Sequence, residues 1–257
     1  MVKMKAAGQL AAEILSQLTI IIEDDISTLD IDNYVKEKLA LHKARSGSFG
    51  YYGFTGHLCT SINDVVCHGI PNKNVILHKG DFINTDLALE LDGHYGDTSR
   101  CFMIGKVEST VRDLVDTTYE AMWAAIEICR PGLKVNEIGR TIEKYLKQSK
   151  KQYGIVRRFC GHGIGNLMHQ DPDVPHYYDP HNDFTLTAGI CITIEPMING
   201  SANHGCRILA DGWTAKTLDG ACSAQWEHTI YITETGYEVM TYNDYDLKKG
   251  KNKIGGN

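Results

Sequence analysis

A chain of 257 residues, 42% hydrophobic and 23% charged, is long enough to bury a sizeable core and too apolar for a disordered protein. Its net charge of −6 excludes a general attraction to nucleic acid or anionic membrane, and no stretch approaches the ~20 apolar residues of a membrane span. Eight cysteines without a C-x-x-C pair exclude zinc knuckles and redox dithiols; they read as buried, reduced thiols of a cytoplasmic protein.

The segment AAGQLAAEILSQLTIII places Ala7, Leu10, Ala11, Ile14, Leu18 and Ile21 on one helical face. Gln9, Glu13, Ser16 and Gln17 interrupt its apolar run, which argues for an amphipathic helix and against a secretory signal. Residues 28–44 carry Leu29, Tyr34, Val35, Leu39 and Leu41 at helical intervals behind a Ser27 or Thr28 cap. A Gly- and Tyr-rich stretch, SGSFGYYGFTGH, leads into LCTSINDVVCHGIP. Residues 81–90 and 94–105 then read as two strands turned near Asp92-Gly93. If those two residues form the loop, Asp97 stands opposite Ala88, with Asp86 on the same face one diagonal step away; a bulge would separate the two aspartates.

Helices are predicted over 110–129, stopped by Arg130-Pro131-Gly132, and over 135–150, with Asn136 as candidate cap and a basic end at Lys147, Lys150 and Lys151. Beyond lie a CGHGIG turn, a Pro- and His-rich stretch, and strands over 189–197 and 224–233. Residues 244–257 read as a disordered basic tail. The order helix, helix, strands, hairpin occurs twice, which predicts two similar halves meeting face to face within one domain over 1–243.

Asp86, Asp97, His162, Glu195 and Glu227 are metal-ligating side chains set in strand-like or turn-like segments. A lone carboxylate is usually a solvated surface group. Glu195 and Glu227 differ because they interrupt apolar strand patterns, where an unpaired carboxylate is costly. Four clustered carboxylates repel one another, and two divalent ions would bring the set near neutrality; such a pair activates water for hydrolysis. No H-E-x-x-H or G-x-S-x-G occurs, which removes the single-zinc helical proteases and the serine hydrolase elbow.

VVCHGIP, the aspartates of NTDLALELDGHYGDTS, GHGIG followed by the histidine of MHQDP, TIEPM and AQWEHT stand in the order of the motifs of type I methionine aminopeptidases. The chain resembles that family from about residue 1 to residue 243. The resemblance implies an α+β pita-bread fold, a pseudo-two-fold symmetric curved antiparallel β-sheet covered by helices. It implies two divalent cations (cobalt, manganese, iron or zinc) held by Asp86, Asp97, His162, Glu195 and Glu227, with Asp97 and Glu227 bridging. The implied reaction removes an N-terminal methionine followed by a small residue. In it, Glu195 carries the proton of the attacking water, His169 hydrogen-bonds the substrate near the scissile bond, and His68 helps stabilise the tetrahedral intermediate or the leaving amine.

By the same resemblance the methionine pocket corresponds to Tyr51, Phe54, Cys59, His68, Met168 and Trp213. Phe54-Thr55-Gly56-His57 departs from the family's aromatic-Pro-Lys-Ser, Phe54 stands where Tyr is frequent, and Met168 where Phe is frequent. The pocket, not the metal site, is therefore where this chain differs. The implied partners are nascent polypeptide N-termini and short Met-peptides, met by a monomer, without DNA or membrane. The lysine tail is a candidate contact to ribosomal RNA. Two rivals remain: an X-Pro-cleaving pita-bread peptidase, which normally carries a further N-terminal domain, and an inactive peptide-binding module, which typically loses metal ligands.

Overall fold

The computed structural model describes residues 1–256; Asn257, the last residue of the expected tail, lies outside them. Helices α1 (Val2–Gln17) and α2 (Thr28–Leu41) open the chain. Strands β1 (Arg45–Ser46), β2 (Cys59–Ile62) and β3 (Val65–Cys67) follow, then the long hairpin of β4 (Phe82–Leu91) and β5 (His94–Met103). Helices α3 (Ser109–Ile126) and α4 (Asn136–Lys147) begin the second half. Short strands β6 (Gly154–Ile155), β7 (Gly161–Gly163), β8 (Gln170–Val174), β9 (Cys191–Ile194), β10 (Met197–Asn199), β11 (Cys206–Ile208), β12 (Ala215–Thr217) and β13 (Ser223–Gln225) come next. The chain closes with β14 (Glu227–Ile232), β15 (Gly236–Val239), helix α5 (Asp244–Lys248) and β16 (Ile254–Gly256).

One antiparallel sheet runs β1-β4-β5-β14-β9-β7-β8, with β2 added beside β4, and β15 and β16 beyond β14. The first hairpin and the pair β14–β9 thus meet at the β5–β14 seam, as two halves should. Each half has its own helical cover. Leu10, Ile14 and Leu18 from the first helical segment, with Ile31 and Val35 of α2, pack on Ile83, Leu87 and Leu89 of β4. Met122 and Trp123 of α3, with Ile138 and Ile142 of α4, pack on Ile192, Ile194 and Ile230. Each such side chain, taken out of water, contributes roughly 1.5–3 kcal/mol. Ile21 is only partly buried, because the chain leaves α-helical geometry at Leu18–Ile20.

Helix boundaries follow local chemistry. Ser27 caps α2 through a reciprocal box with Asp30, and left-handed Lys43 (φ 55°) ends its extension before Ala44. Asn136 does not cap α4; it is the first helical residue, and no side chain caps that end. The CGHGIG segment is strand at β7, not turn.

The expected disordered tail is a folded segment. The Asn243 side chain caps α5, and the buried Asp246 accepts from the Tyr119 hydroxyl at 2.9 Å. Strand β16 pairs with β15. Lys249 and Lys251 reach Asp116 and Glu120 of α3 at 3.1 and 2.7 Å, so an acidic helix face neutralises two of the lysines that composition alone assigns to solvent. Among the described residues no helix is long and apolar enough to cross a membrane.

Candidate metal centre and substrate cleft

The aspartates are placed by the hairpin. Asp92 (φ 50°) and Gly93 (φ 80°) both take the left-handed conformation that a two-residue turn requires. The resulting register sets Asp97 opposite Ala88 and Asp86 opposite Ser99, with no bulge between them. On the other side of β5, Glu227 also pairs with Ser99, so Asp86 and Glu227 flank one small residue on the same sheet face. The β5–β14 seam is fixed by Thr229, whose hydroxyl donates to the Asp97 carbonyl at 2.7 Å, and by Thr98, which donates to that of Glu227 at 2.7 Å.

Both glutamates sit where a strand path changes sheet. The 189–197 pattern is not one strand: β9 lies in the large sheet and β10 in a three-stranded sheet with β13 and β6, with Glu195-Pro196 between. Proline has no N–H to continue a ladder. Trp226 likewise separates β13 from β14. His162 stands on β7, wedged between β8 and β9. A Cβ on Gly163 would lie 2.1 Å from the Asp171 carbonyl oxygen, so the glycine beside His162 permits close backbone approach.

These elements bring ligand atoms of Asp97, His162 and Glu227 within 4.8 Å of one another. His162 Nδ1 lies 3.0 Å from the Gly163 carbonyl, which only accepts, so Nδ1 carries the proton and Nε2 presents a lone pair. That lone pair faces Glu195 Oε1 at 3.6 Å and Asp97 Oδ2 at 3.8 Å. Burial pushes the His162 pKa down to about 4, so the ring is neutral at pH 7. Burial, reinforced by neighbouring carboxylates, raises Asp97, Glu195 and Glu227 well above the usual carboxylate range. Asp86 is pushed up to about 7 by burial, against a hydrogen bond with Glu227 that lowers it. Four crowded acids and an inward lone pair are a donor set that divalent cations fit.

Three supporting residues carry no signal of their own in the sequence. The Thr193 hydroxyl accepts from the His162 N–H at 2.9 Å and donates to Glu195 Oε1 at 2.8 Å. The alternation Thr193-Ile194-Glu195 puts both polar groups on one face, which is the only available hint. Gln225 Nε2 lies 3.4 Å from Glu195 Oε2. Buried His176, its pKa lowered to about 3 by burial, accepts the Glu195 N–H at 3.0 Å; it lies in the Pro- and His-rich stretch.

A cleft of about 670 Å³ contains the five acidic and imidazole groups with His68 and His169. Opening beside it is a pocket of about 160 Å³ walled by Tyr51, Phe54, Cys59, Met168 and Trp213 and sharing His68 and His169. Every candidate site residue from the sequence therefore faces one connected space. His68 (φ 57°) packs edge-on against Phe159 and Trp213, and burial lowers its pKa to about 4. His169 is lowered by burial too, and the Tyr51 hydroxyl meets its Nδ1 at 3.0 Å. A separate groove of about 720 Å³ at the end of α4 shares none of these residues.

Metallopeptidase family M24 matches residues 2–234. A methionine aminopeptidase of Buchnera aphidicola is 40% identical over 249 residues, 96% of this chain and 93% of that protein. The crystal structure of methionine aminopeptidase from Rickettsia prowazekii is similar at a TM-score of 0.90 and 41% identity, covering 94% of this chain and 96% of the other. Prolidase from Pyrococcus furiosus shares the fold, at a TM-score of 0.74 and 18% identity, over 94% of this chain and 63% of its own. With this α+β pita-bread fold and this cleft, the chain belongs to metallopeptidase family M24. Within it, the chain belongs with the methionine aminopeptidases.

Proposed function

We propose that the chain removes the initiator methionine from nascent polypeptides and short peptides whose second residue is small, using two divalent cations. The observation that carries this reading is the His162 lone pair directed at Glu195 and Asp97 within a cluster of raised-pKa acids. Asp86, Asp97, His162, Glu195 and Glu227 would hold the cations. Bound cations supply Lewis acidity at the first peptide carbonyl and acidify water. An oxygen-rich set with one imidazole suits manganese, iron, cobalt or zinc.

The residues around that centre have separate tasks. Glu195, held by Thr193 and Gln225, takes the proton of the attacking water and returns it to the departing amine. When the Tyr51 hydroxyl donates to Nδ1 of His169, the opposite Nε2–H is left to donate to the substrate. His68, neutral at pH 7, offers one further donor at the junction of cleft and pocket. The pocket's rings and the sulfurs of Cys59 and Met168 suit a polarizable thioether.

Action on nascent chains would place the protein in the cytoplasm. Lys249 and Lys251 are ion-paired to α3, which weakens the case for a ribosomal RNA contact through the tail. The prolidase likeness shows fold alone, and the assembled ligand set speaks against an inactive module. Parallel assay of Met-Ala-Ser and an X-Pro peptide tests the proposal: methionine release is expected, and exclusive X-Pro cleavage would refute it.

A further inference from the structure

The segment before Cys59 departs from the pattern the chain otherwise resembles, and the fold gives its histidine a specific set of partners. His57 ends the loop that carries Tyr51 and Phe54 into the pocket wall. The backbone N–H groups of His57 and Leu58 both donate to Oδ1 of Asp32, and His57 Nδ1 lies 2.9 Å from Oδ2 of the same carboxylate. A carboxylate offers only lone pairs, so Nδ1 carries the proton. Asp32 is 3% exposed and stands on α2, in the helical cover of the first half. The His57 carbonyl accepts from Ser46 Oγ at 2.8 Å, and the His57 ring stacks on Phe49 with centroids 4.6 Å apart and planes at 11°.

Between its ends the loop bonds mainly to itself, through Gly50 N–H to the Phe54 carbonyl, Tyr51 N–H to Ser48 and Phe54 N–H to Tyr51. It passes through the left-handed region at Gly50, Tyr52 and Gly53, and Tyr52 is 84% exposed. Phe54 is buried against Trp213 and Leu58 in the core, but the tip around Tyr52 is exposed, and such a tip opens easily unless its ends are held. Its ties to the body are Gly47 N–H to the Ala88 carbonyl at 2.8 Å, Ser46 Oγ to the His57 carbonyl, the edge-on contact of Phe54 with Trp213, Tyr51 to His169, and the Asp32 bonds to His57 and Leu58. Two residues beyond His57, Cys59 pairs with Asp86. The same tether therefore supports the pocket wall and the strand beside a candidate ligand.

We propose that His57 is a specificity-positioning residue: through Asp32 and Phe49 it holds residues 47–58 so that Tyr51 and Phe54 keep the spacing that accepts methionine. This rests on the aminopeptidase reading above. The backbone hydrogen bonds to Asp32 survive any substitution at position 57; the side-chain tether needs a donor, and the stack needs an aromatic ring.

The test uses metal-loaded full-length enzyme with His57→Ala, His57→Asn and His57→Phe, assayed on Met-Ala-Ser and Leu-Ala-Ser, with amide hydrogen exchange over residues 47–58. For His57→Ala, KM should rise about 10-fold with kcat within about 2-fold, and the preference for Met over Leu should fall about 10-fold, a scale typical of a displaced pocket wall. Exchange across the loop should quicken. His57→Asn, which keeps a donor toward Asp32, should recover most of the selectivity, whereas His57→Phe, which keeps only the stack, should not. Unchanged selectivity and exchange in His57→Ala, or a loss confined to kcat, would overturn the proposal. If His57→Ala does not fold, the other two decide it, and His57→Asn no better than His57→Phe overturns it. A wild-type enzyme that releases no methionine refutes the function above, while hydrogen exchange still reads the tether.

Discussion

Nε2 of His162 stands 3.6 Å from Oε1 of Glu195, lone pair toward carboxyl oxygen, while Nδ1 on the other side of the ring is committed to the Gly163 carbonyl. Two acceptors this close repel unless a proton or a cation lies between them. Raised carboxyl pKa values answer for the proton; the proposed metal centre answers for the cation. The two compete, which gives the first prediction.

Metal uptake should release protons. Asp97, Glu195 and Glu227 hold protons well above their ordinary range, and Asp86 to about 7, while His162 is already neutral above about pH 5. An acid with a raised folded pKa makes no contribution below its unfolded value and destabilises the metal-free fold increasingly as pH rises past it. A bound cation removes that penalty. The gain in Tm on adding Mn²⁺ should therefore grow from about pH 5 to 7, and titration calorimetry in two buffers should show proton release at pH 7. A pH-independent gain without proton release would contradict the proposed competition.

Glu195→Gln should lower kcat about 10²- to 10⁴-fold, the usual worth of a positioned acid–base group. The amide keeps the volume and can still accept from Gln225. Full activity in this variant would remove Glu195 from proton transfer.

Thr193→Val and His176→Leu should each weaken metal affinity about 10- to 100-fold, the common cost of losing a partner behind a ligand. Thr193 ties the His162 backbone to the Glu195 carboxyl, and His176 accepts the Glu195 N–H. Metal titration followed by activity measures the effect. Affinity matching wild type would leave both residues purely structural.

Asp246→Ala should cost about 2–5 kcal/mol of stability, because it strands buried hydrogen-bond donors at about 1–3 kcal/mol each. Asp246 lies 3.2 Å from His228 Nε2 and accepts from Tyr119, joining α5 to β14 and α3. Deleting residues 244–257 should lower Tm by a similar mechanism. Urea denaturation of both variants checks this; wild-type stability after truncation would return the segment to the status of a tail.

The legible parts of this molecule were local. Asp92-Gly93 announces a turn whose register aligns Asp86 and Asp97, and the Ser27-Thr28 pair announces the start of α2 without telling which of the two caps it. What stayed hidden depends on distant partners. An apolar run such as 189–197 has the same pattern whether it stays in one sheet or crosses to another at Glu195. Glycines around His162 suggest a turn, although Gly163 is needed because the Asp171 backbone lies against it. Lys249 and Lys251 read as solvated because their acidic partners lie more than a hundred residues earlier, on α3. His176 gives no pattern and Thr193 only the alternation with Glu195, since supporting hydrogen bonds exist only after the strands assemble.

The most direct measurement is methionine release from Met-Ala-Ser by metal-stripped protein titrated with Mn²⁺, Fe²⁺, Co²⁺ and Zn²⁺, alongside Asp97→Ala. The account predicts no release without metal, recovery with at least one cation as the sites fill toward two per chain, and no recovery in Asp97→Ala. Methionine release by the metal-free protein, or by Asp97→Ala at the wild-type rate, would contradict it.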